Sequence, residues 1–216
     1  MTNPMPSPHE LTHALETLHS GGIIAYPTET VYGIGADPFQ PRGLDQILRL
    51  KGRDATKGFI LLIPNRRTLE TIVTPPSPWA ERLIQQFWPG PLTLVLPAQP
   101  GLPEQVTGGR TTVAVRHSSS QRVATLLNAW GRPLVSTSAN PSGHPPFRNH
   151  LQVQDFFGSQ IPCIMTGHCP THTPPSTIVA FENDQPVIVR QGAITAVMLG
   201  IAPHPRIDPN KMEKER

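Results

Sequence analysis

The chain has 216 residues, 37% of them hydrophobic and only 15% charged, which is enough apolar material for one sizeable domain and unlike a disordered chain. Its formal charge of +3 permits an anionic ligand and argues against nucleic-acid binding as the sole role. Two cysteines, Cys163 and Cys169, cannot supply a disulfide framework. The N-terminus lacks the regions of a secretion signal, and no stretch approaches the roughly 18 apolar residues of a membrane helix. A reduced, soluble, cytoplasmic protein with no membrane association is expected. Proline, at 27 residues, is the outlier and predicts short elements joined by stiff connections.

In chain order, residues 8–20 read as an amphipathic helix, with Leu11, Ala14, Leu15 and Leu18 at helical spacing. Ser7 caps it, Pro8 suits its first turn, Glu10 completes a capping box and Gly21-Gly22 ends it. The run Ile23–Tyr26 follows as a strand. A helix over 41–50, a strand at Phe59–Ile63 and a helix over 78–88 come next, then strands at Leu92–Leu96 and Thr112–Val115. A helix over 119–130 leads to a strand that begins at Leu134-Val135. Thr177–Phe181 then pairs with Val187–Arg190 across a turn at Glu182–Gln185. Mixed elements without an internal repeat predict a single α/β domain over residues 8–200 around a twisted sheet, followed by a frayed tail at 201–216.

Three segments carry candidate chemistry. Tyr26-Pro-Thr-Glu-Thr-Val-Tyr-Gly-Ile-Gly35 leads from a strand end into hydroxyls, a carboxylate and two glycines. Thr28 and Thr30 can hydrogen-bond a ligand while Gly33 and Gly35 admit it close to the backbone; the same residues also suit a tight turn. Neither a dinucleotide fingerprint nor a GxxxxGK[ST] loop occurs. Lys51-Gly-Arg53-Asp-Ala-Thr-Lys57 concentrates three cations that repel one another unless an anion such as a triphosphate sits among them, although a solvated turn at a helix C-terminus would look alike. Val135-Ser-Thr-Ser-Ala-Asn140-Pro-Ser-Gly143 runs from an apolar strand into small polar residues suited to reading a polar ligand or to forming a structural loop. Arg116 and Arg190 each stand at the exit of a strand. Cys163, His168, Cys169 and His172 match no common zinc spacing, so no metal site is expected there.

Together YPTETVYGIGADPF, KGRDATKG, WPGPLTLVLPA, TTVAVR, VSTSANPSG and STIVAF…VIVRQGAI resemble the YrdC-like family of L-threonylcarbamoyladenylate synthases, in the family's order and from about residue 10 to residue 195. The resemblance implies a twisted mixed sheet with helices around a deep basic cavity. It implies that L-threonine, bicarbonate or CO₂, and ATP give L-threonylcarbamoyladenylate and diphosphate. A separate threonylcarbamoyl-transferase complex would take the product to the adenosine beside the anticodon of tRNAs that read codons starting with A. By resemblance, Lys51, Arg53 and Lys57 face the triphosphate, and Ser138, Asn140 and Arg190 hold the nucleotide with Thr112 and Ser136 nearby. Thr28 or Thr30, with Arg116 and Ser176, hold threonine, and Arg116 pairs with its carboxylate. No covalent catalyst is implied, and Mg²⁺ would ride on the phosphates.

Three features depart from the family pattern. Gly58 stands where proline often follows the last cation, which predicts a more mobile turn. The loop Thr166-Gly-His-Cys-Pro-Thr-His-Thr-Pro-Pro175 replaces a glycine-rich acidic one and leaves the presentation of Ser176 open. The length suggests the short, single-domain bacterial type without the second domain of longer members. Two other readings remain: a non-catalytic tRNA or double-stranded RNA-binding protein, and a paralogue acting on a different amine or carbamoyl substrate.

Overall fold

Alternation of side chains along the strands builds one mixed sheet with a different core on each face. The computed structural model describes residues 4–201, so the expected tail lies outside the described residues except for Ile201. Among the described residues there are nine strands: β1 (Ile24–Tyr26), β2 (Gly33–Ala36), β3 (Ile60–Leu62), β4 (Leu92–Pro97), β5 (Thr112–Arg116), β6 (Leu134–Ser138), β7 (Cys163–Ile164), β8 (Thr177–Glu182) and β9 (Gln185–Arg190). They lie in the order β7-β1-β2-β6-β3-β5-β4-β8-β9. The β1/β7, β3/β5 and β4/β8 pairs are parallel and the other pairs antiparallel.

The helices are α1 (Pro8–His19), α2 (Pro41–Lys51), α3 (Arg66–Ile72), α4 (Pro78–Phe87), α5 (Glu104–Thr107), α6 (Gln121–Trp130), α7 (His150–Phe157) and α8 (Ala196–Leu199). Successive strand residues enter opposite cores. Ile24, Tyr26, Leu62 and Leu134 join Ala14 and Leu18 of α1 and Val123, Leu126 and Trp130 of α6. Ala25, Leu61 and Val135 instead join the larger core with Leu44 and Ile47 of α2, Leu83 of α4 and Phe157 of α7.

The structure refines several expectations. Ser7 Oγ caps α1 by accepting from the Glu10 backbone N–H at 3.1 Å. The Glu10 carboxylate does not close the capping box. It takes Arg122 Nη2 at 2.6 Å and the Thr166 hydroxyl at 2.9 Å, tying α1 to α6 and to the loop beyond β7. The expected β8–β9 hairpin forms, with its tight turn at Asn183 and Asp184, both at positive φ (47° and 63°). The segment expected as a glycine turn contains strand β2. Gly35 is required, since a Cβ there would sit 2.7 Å from the Val135 carbonyl oxygen and 2.9 Å from the Tyr26 ring, and Gly33 leaves only a tight fit, 3.2 Å from that ring.

Candidate active site

Beyond α1 and α6, the same sheet face is left open and forms the floor of a cavity of about 600 Å³. The ladder register sets Gly33 opposite Ser138, Ile60 opposite Ser136 and Ala114, Val95 opposite Ala114, and Pro97 opposite Thr112. All of these except Pro97 line the cavity, as do Ile178 and Ala180 from β8. Small or hydroxylated side chains at every second position make the hollow, and Ile60, Val95 and Ile178 give it apolar walls; its volume suits a nucleotide-sized ligand. Strand β6 thus extends through Ser136–Ser138, a stretch that sequence reading takes as small polar residues for reading a ligand or as a structural loop.

At one end, Arg116 leaves β5 buried and paired. Its Nη2 lies 2.6 Å from Glu29 Oε1, its Nε donates to the Gly90 carbonyl at 3.2 Å, and Nη1 and Nη2 reach the Thr30 hydroxyl at 3.3 and 3.4 Å. Glu29 in turn accepts from the Ser118 hydroxyl and the Ser119 N–H. Burial opposes its charge, but the Arg116 guanidinium and these donors outweigh that and hold its pKa below the ordinary carboxylate value. The Thr28 hydroxyl donates to the Val31 carbonyl at 2.7 Å, so in its 3.0 Å contact with Thr30 it is Thr30 that donates. Thr28 therefore folds the turn, and Thr30 presents its oxygen to Arg116.

Arg190 closes this end from β9. It donates to the Ser176 carbonyl from Nη2 at 2.8 Å and to the Ser176 hydroxyl at 3.2 Å, and that hydroxyl meets Thr93 Oγ1 at 2.9 Å. Burial, then the charges of Arg116 and Arg53, push the Arg190 pKa down. Cations from three strands or turns therefore feel one another across the hollow, which is the signature of a site for an anion.

The basic turn occupies the other rim. Asp54 caps the short 3₁₀ turn Ala55–Lys57 through the Thr56 N–H at 2.9 Å. Arg53 donates to the Gly58 carbonyl at 2.8 Å and lies over the Phe59 ring at 5.6 Å. Burial first, and Arg110 second, lower its pKa. Gly58 is not a loosened position: it is buried at φ 56° and ψ −172°, and a Cβ there would meet the Val106 and Thr107 carbonyl oxygens at 2.9 Å. Only glycine adopts that backbone comfortably, so proline here would require a different turn.

Two expected ligand-binding residues stand behind the cavity instead of lining it. Lys51, only 4% exposed, points its ammonium at the Ser138 carbonyl, the Asn140 carbonyl at 2.6 Å and Asn140 Oδ1 at 3.3 Å. Burial, then the Arg53 charge, lowers its pKa to about 8. Asn140 spends its amide donors on the Pro141 and His144 carbonyls. The pair anchors the end of β6, whereas Thr28, Thr30, Arg53, Lys57, Thr112, Arg116, Ser136, Ser138, Ser176 and Arg190 all line the cavity.

The unusual loop before Ser176 is firmly held. The Arg148 guanidinium bridges the Thr30 carbonyl at 3.2 Å to the carbonyls of Pro170 and Thr173, the latter at 3.1 Å. Cys163 and Cys169 are buried in different cores, and burial raises both thiol pKa values to about 11. No group of three or more His, Cys, Asp or Glu side chains among the described residues is arranged to hold a metal ion.

Sequence reading left out Glu29, Arg110 and Arg148. Glu29 had a signal, a carboxylate between two threonines, and Arg110 a weaker one, a cation after Gly108-Gly109 at the entry to β5. Nothing in the sequence marks Arg148 as a bridge.

Comparison with known proteins agrees with this arrangement. The Sua5/YciO/YrdC family pattern, described as "telomere recombination", matches residues 16–192. A threonylcarbamoyl-AMP synthase of Thiobacillus denitrificans is 44% identical over 162 residues, covering 75% of this chain and 86% of its own length. The structure of P. abyssi Sua5 complexed with L-threonine superposes with a TM-score of 0.81 at 35% identity, over 85% of this chain and 54% of that one. E. coli YciO gives 0.82 at 25% identity, over 92% and 97% of the two chains. The chain thus spans little more than half of the longer Sua5 structure and nearly the full length of the YciO one.

Proposed function

Because the chain belongs to the Sua5/YciO/YrdC family, we propose that it makes L-threonylcarbamoyladenylate from L-threonine, bicarbonate or CO₂, and ATP, releasing diphosphate. The observation that carries this reading is one cavity bordered by two kinds of cationic site: a guanidinium fixed by a carboxylate, and a rim of cations that form no ion pair among the described residues. Such a pair suits two anionic substrates brought together, a small carboxylate and a polyphosphate.

In this reading the threonine carboxylate meets Arg116, which Glu29, Thr30 and Gly90 hold in orientation. The threonine amine and bicarbonate give a carbamate and water. A carbamate oxygen then attacks the α-phosphorus of ATP, the bond between the α-phosphorus and the bridging oxygen breaks, and its electron pair leaves with diphosphate. Such a step depends on positioning and on neutralising charge, so the absence of a nucleophilic side chain from the proposed roles is no obstacle. Arg53 and Lys57 face the phosphates, Thr112, Ser136, Ser138 and Arg190 contact the nucleotide, and Ser176 borders threonine. Lys51 and Asn140 support β6 from behind and touch neither substrate. ATP arrives as its Mg²⁺ complex, the ion held by phosphate oxygens and water.

The product passes to a threonylcarbamoyl-transferase complex that modifies tRNA, which sets the work in the cytoplasm; no helix among the described residues is long and apolar enough to cross a membrane. The test is diphosphate release from ATP by the purified protein with Mg²⁺. Release that requires both threonine and bicarbonate is expected. Folded, ATP-binding protein that releases no diphosphate with threonine would transfer the reading to a paralogue with another substrate.

A further inference from the structure

Arg110 is a cation that the basic turn does not contain and that the cavity acquires through folding. It follows the positive-φ residues Gly108 and Gly109, at φ 67° and 77°, and lines the cavity beside Arg53 and Lys57. The two turns interlock through backbone. Phe59 N–H donates to the Val106 carbonyl at 2.8 Å, and a Cβ at Gly108 would lie 2.4 Å from the Thr56 carbonyl oxygen. Each arginine is tethered by turn carbonyls, Arg53 by Gly58 at 2.8 Å and Lys57 at 3.5 Å, and Arg110 by Thr107 at 3.3 Å. The interlocking therefore fixes the spacing of two guanidinium stems. Arg53 registers the Arg110 charge as a repulsion, and among the described residues neither Arg53, Lys57 nor Arg110 forms an ion pair.

We propose that Arg110 and Arg53 form a two-pronged clamp on the terminal phosphates of the nucleotide, the part that leaves as diphosphate, with Arg110 taking the place that the sequence gives to Lys51. The inference rests on the function proposed above and deepens it. Like cations held close by rigid backbone are unfavourable until a multiply charged anion lies between them, and guanidiniums match phosphate oxygens with paired donors. Because charge grows on the leaving diphosphate as the bond to the α-phosphorus breaks, a clamp there stabilises the reaction as well as the substrate.

Calorimetric titration of Arg110→Ala with ATP, AMP, inorganic diphosphate and threonine tests this directly. ATP and diphosphate are expected to bind about tenfold or more weakly, as for a lost charge-assisted contact. AMP and threonine are expected to change by less than about twofold, which also reports an intact fold. Arg110→Gln, which keeps an amide donor for the Thr107 carbonyl, should show the same selectivity. Unchanged ATP and diphosphate affinity, or an equal loss for AMP, would overturn the clamp. Arg110-dependent diphosphate binding without threonine-dependent turnover would uphold the clamp and sink the proposed activity. Normal turnover with an unaltered diphosphate affinity in the variants would do the reverse.

Discussion

The two basic borders of the cavity are balanced in opposite ways. Arg116 is buried, 2.6 Å from Glu29 and tied to Thr30 and Gly90, so its geometry is set before any ligand arrives. Arg53, Lys57 and Arg110 have no ion-pair partner among the described residues and are placed by backbone packing. In the proposed function the paired border would select by shape, because a ligand carboxylate must fit around bonds already made. The unpaired border would select by charge: a polyanion would relieve its repulsion, so binding there should stabilise the fold and weaken steeply with salt.

The largest expected effect comes from removing the paired cation. Arg116→Ala should raise the threonine KM about a hundredfold while the ATP KM moves less than about threefold, consistent with loss of a charged, hydrogen-bonded anchor. It should also lower stability by about 3 kcal/mol, because Glu29 stays buried without its partner. Steady-state kinetics with each substrate varied, beside urea unfolding, separates the two consequences. Equal rises in both KM values would erase the distinction between the borders.

A backbone change should act on the opposite side. Gly58→Ala places a side chain at φ 56° against two carbonyl oxygens at 2.9 Å, and about 2–3 kcal/mol of destabilisation is expected. Because Gly58 also holds Arg53 through its carbonyl, ATP affinity should fall while threonine affinity, measured well below the melting transition, holds. Gly58→Ala with wild-type stability would mean that the turn is as pliable as the sequence suggested.

Lys51 tests where the unpaired border ends. Lys51→Met keeps the aliphatic stem and deletes the ammonium, removing a donor from the Asn140 carbonyl and Oδ1 and leaving the Ser138 carbonyl with the Asn140 N–H. About 2 kcal/mol of stability should be lost, read by urea titration, while the ATP affinity of the folded protein changes less than about threefold. A tenfold loss of ATP affinity at unchanged stability would return Lys51 to the rim.

The contrast between Lys51 and Arg53 also marks how far sequence reading reaches. Short apolar runs announce most of the sheet, and the helices α1, α2, α4 and α6 are visible by their apolar spacing, α1 also by its caps. Strand β2 was hidden because Gly33-Ile-Gly35 looks like a turn until the Tyr26 ring is seen lying over it. Strand β7 and helices α3, α5, α7 and α8 are too short or too polar to show a period. At the site, chemistry-bearing residue types were legible, but not which of them reach the cavity. Lys51 and Arg53 are two residues apart, yet the end of α2 turns one into the β6 support and the other onto the rim. Glu29 and Arg110 gain their meaning from partners 87 and 57 positions away, Arg116 and Arg53 respectively, as their residue numbers show, distances that no local pattern encodes.

The smallest and most discriminating change is Glu29→Gln, which keeps one acceptor oxygen, enough for the Ser119 N–H, but removes the charge that orients Arg116. The threonine KM should rise about tenfold, the scale of one charge-assisted bond, with ATP nearly unaffected. Its pH signature has a definite sign. The Glu29 pKa in the folded protein lies below the ordinary value of 4.5, so the ionised carboxylate contributes stability that is fully present above about 4.5 and is lost as pH falls through the lower, folded value. Glu29→Gln lacks that titration, so its urea stability should decline less than that of the wild type as pH falls below about 4.5, the two curves converging in acid. If instead the curves ran parallel through acid, Glu29 would not be the charge that holds Arg116, and the paired border would owe its order to Thr30 and Gly90 alone.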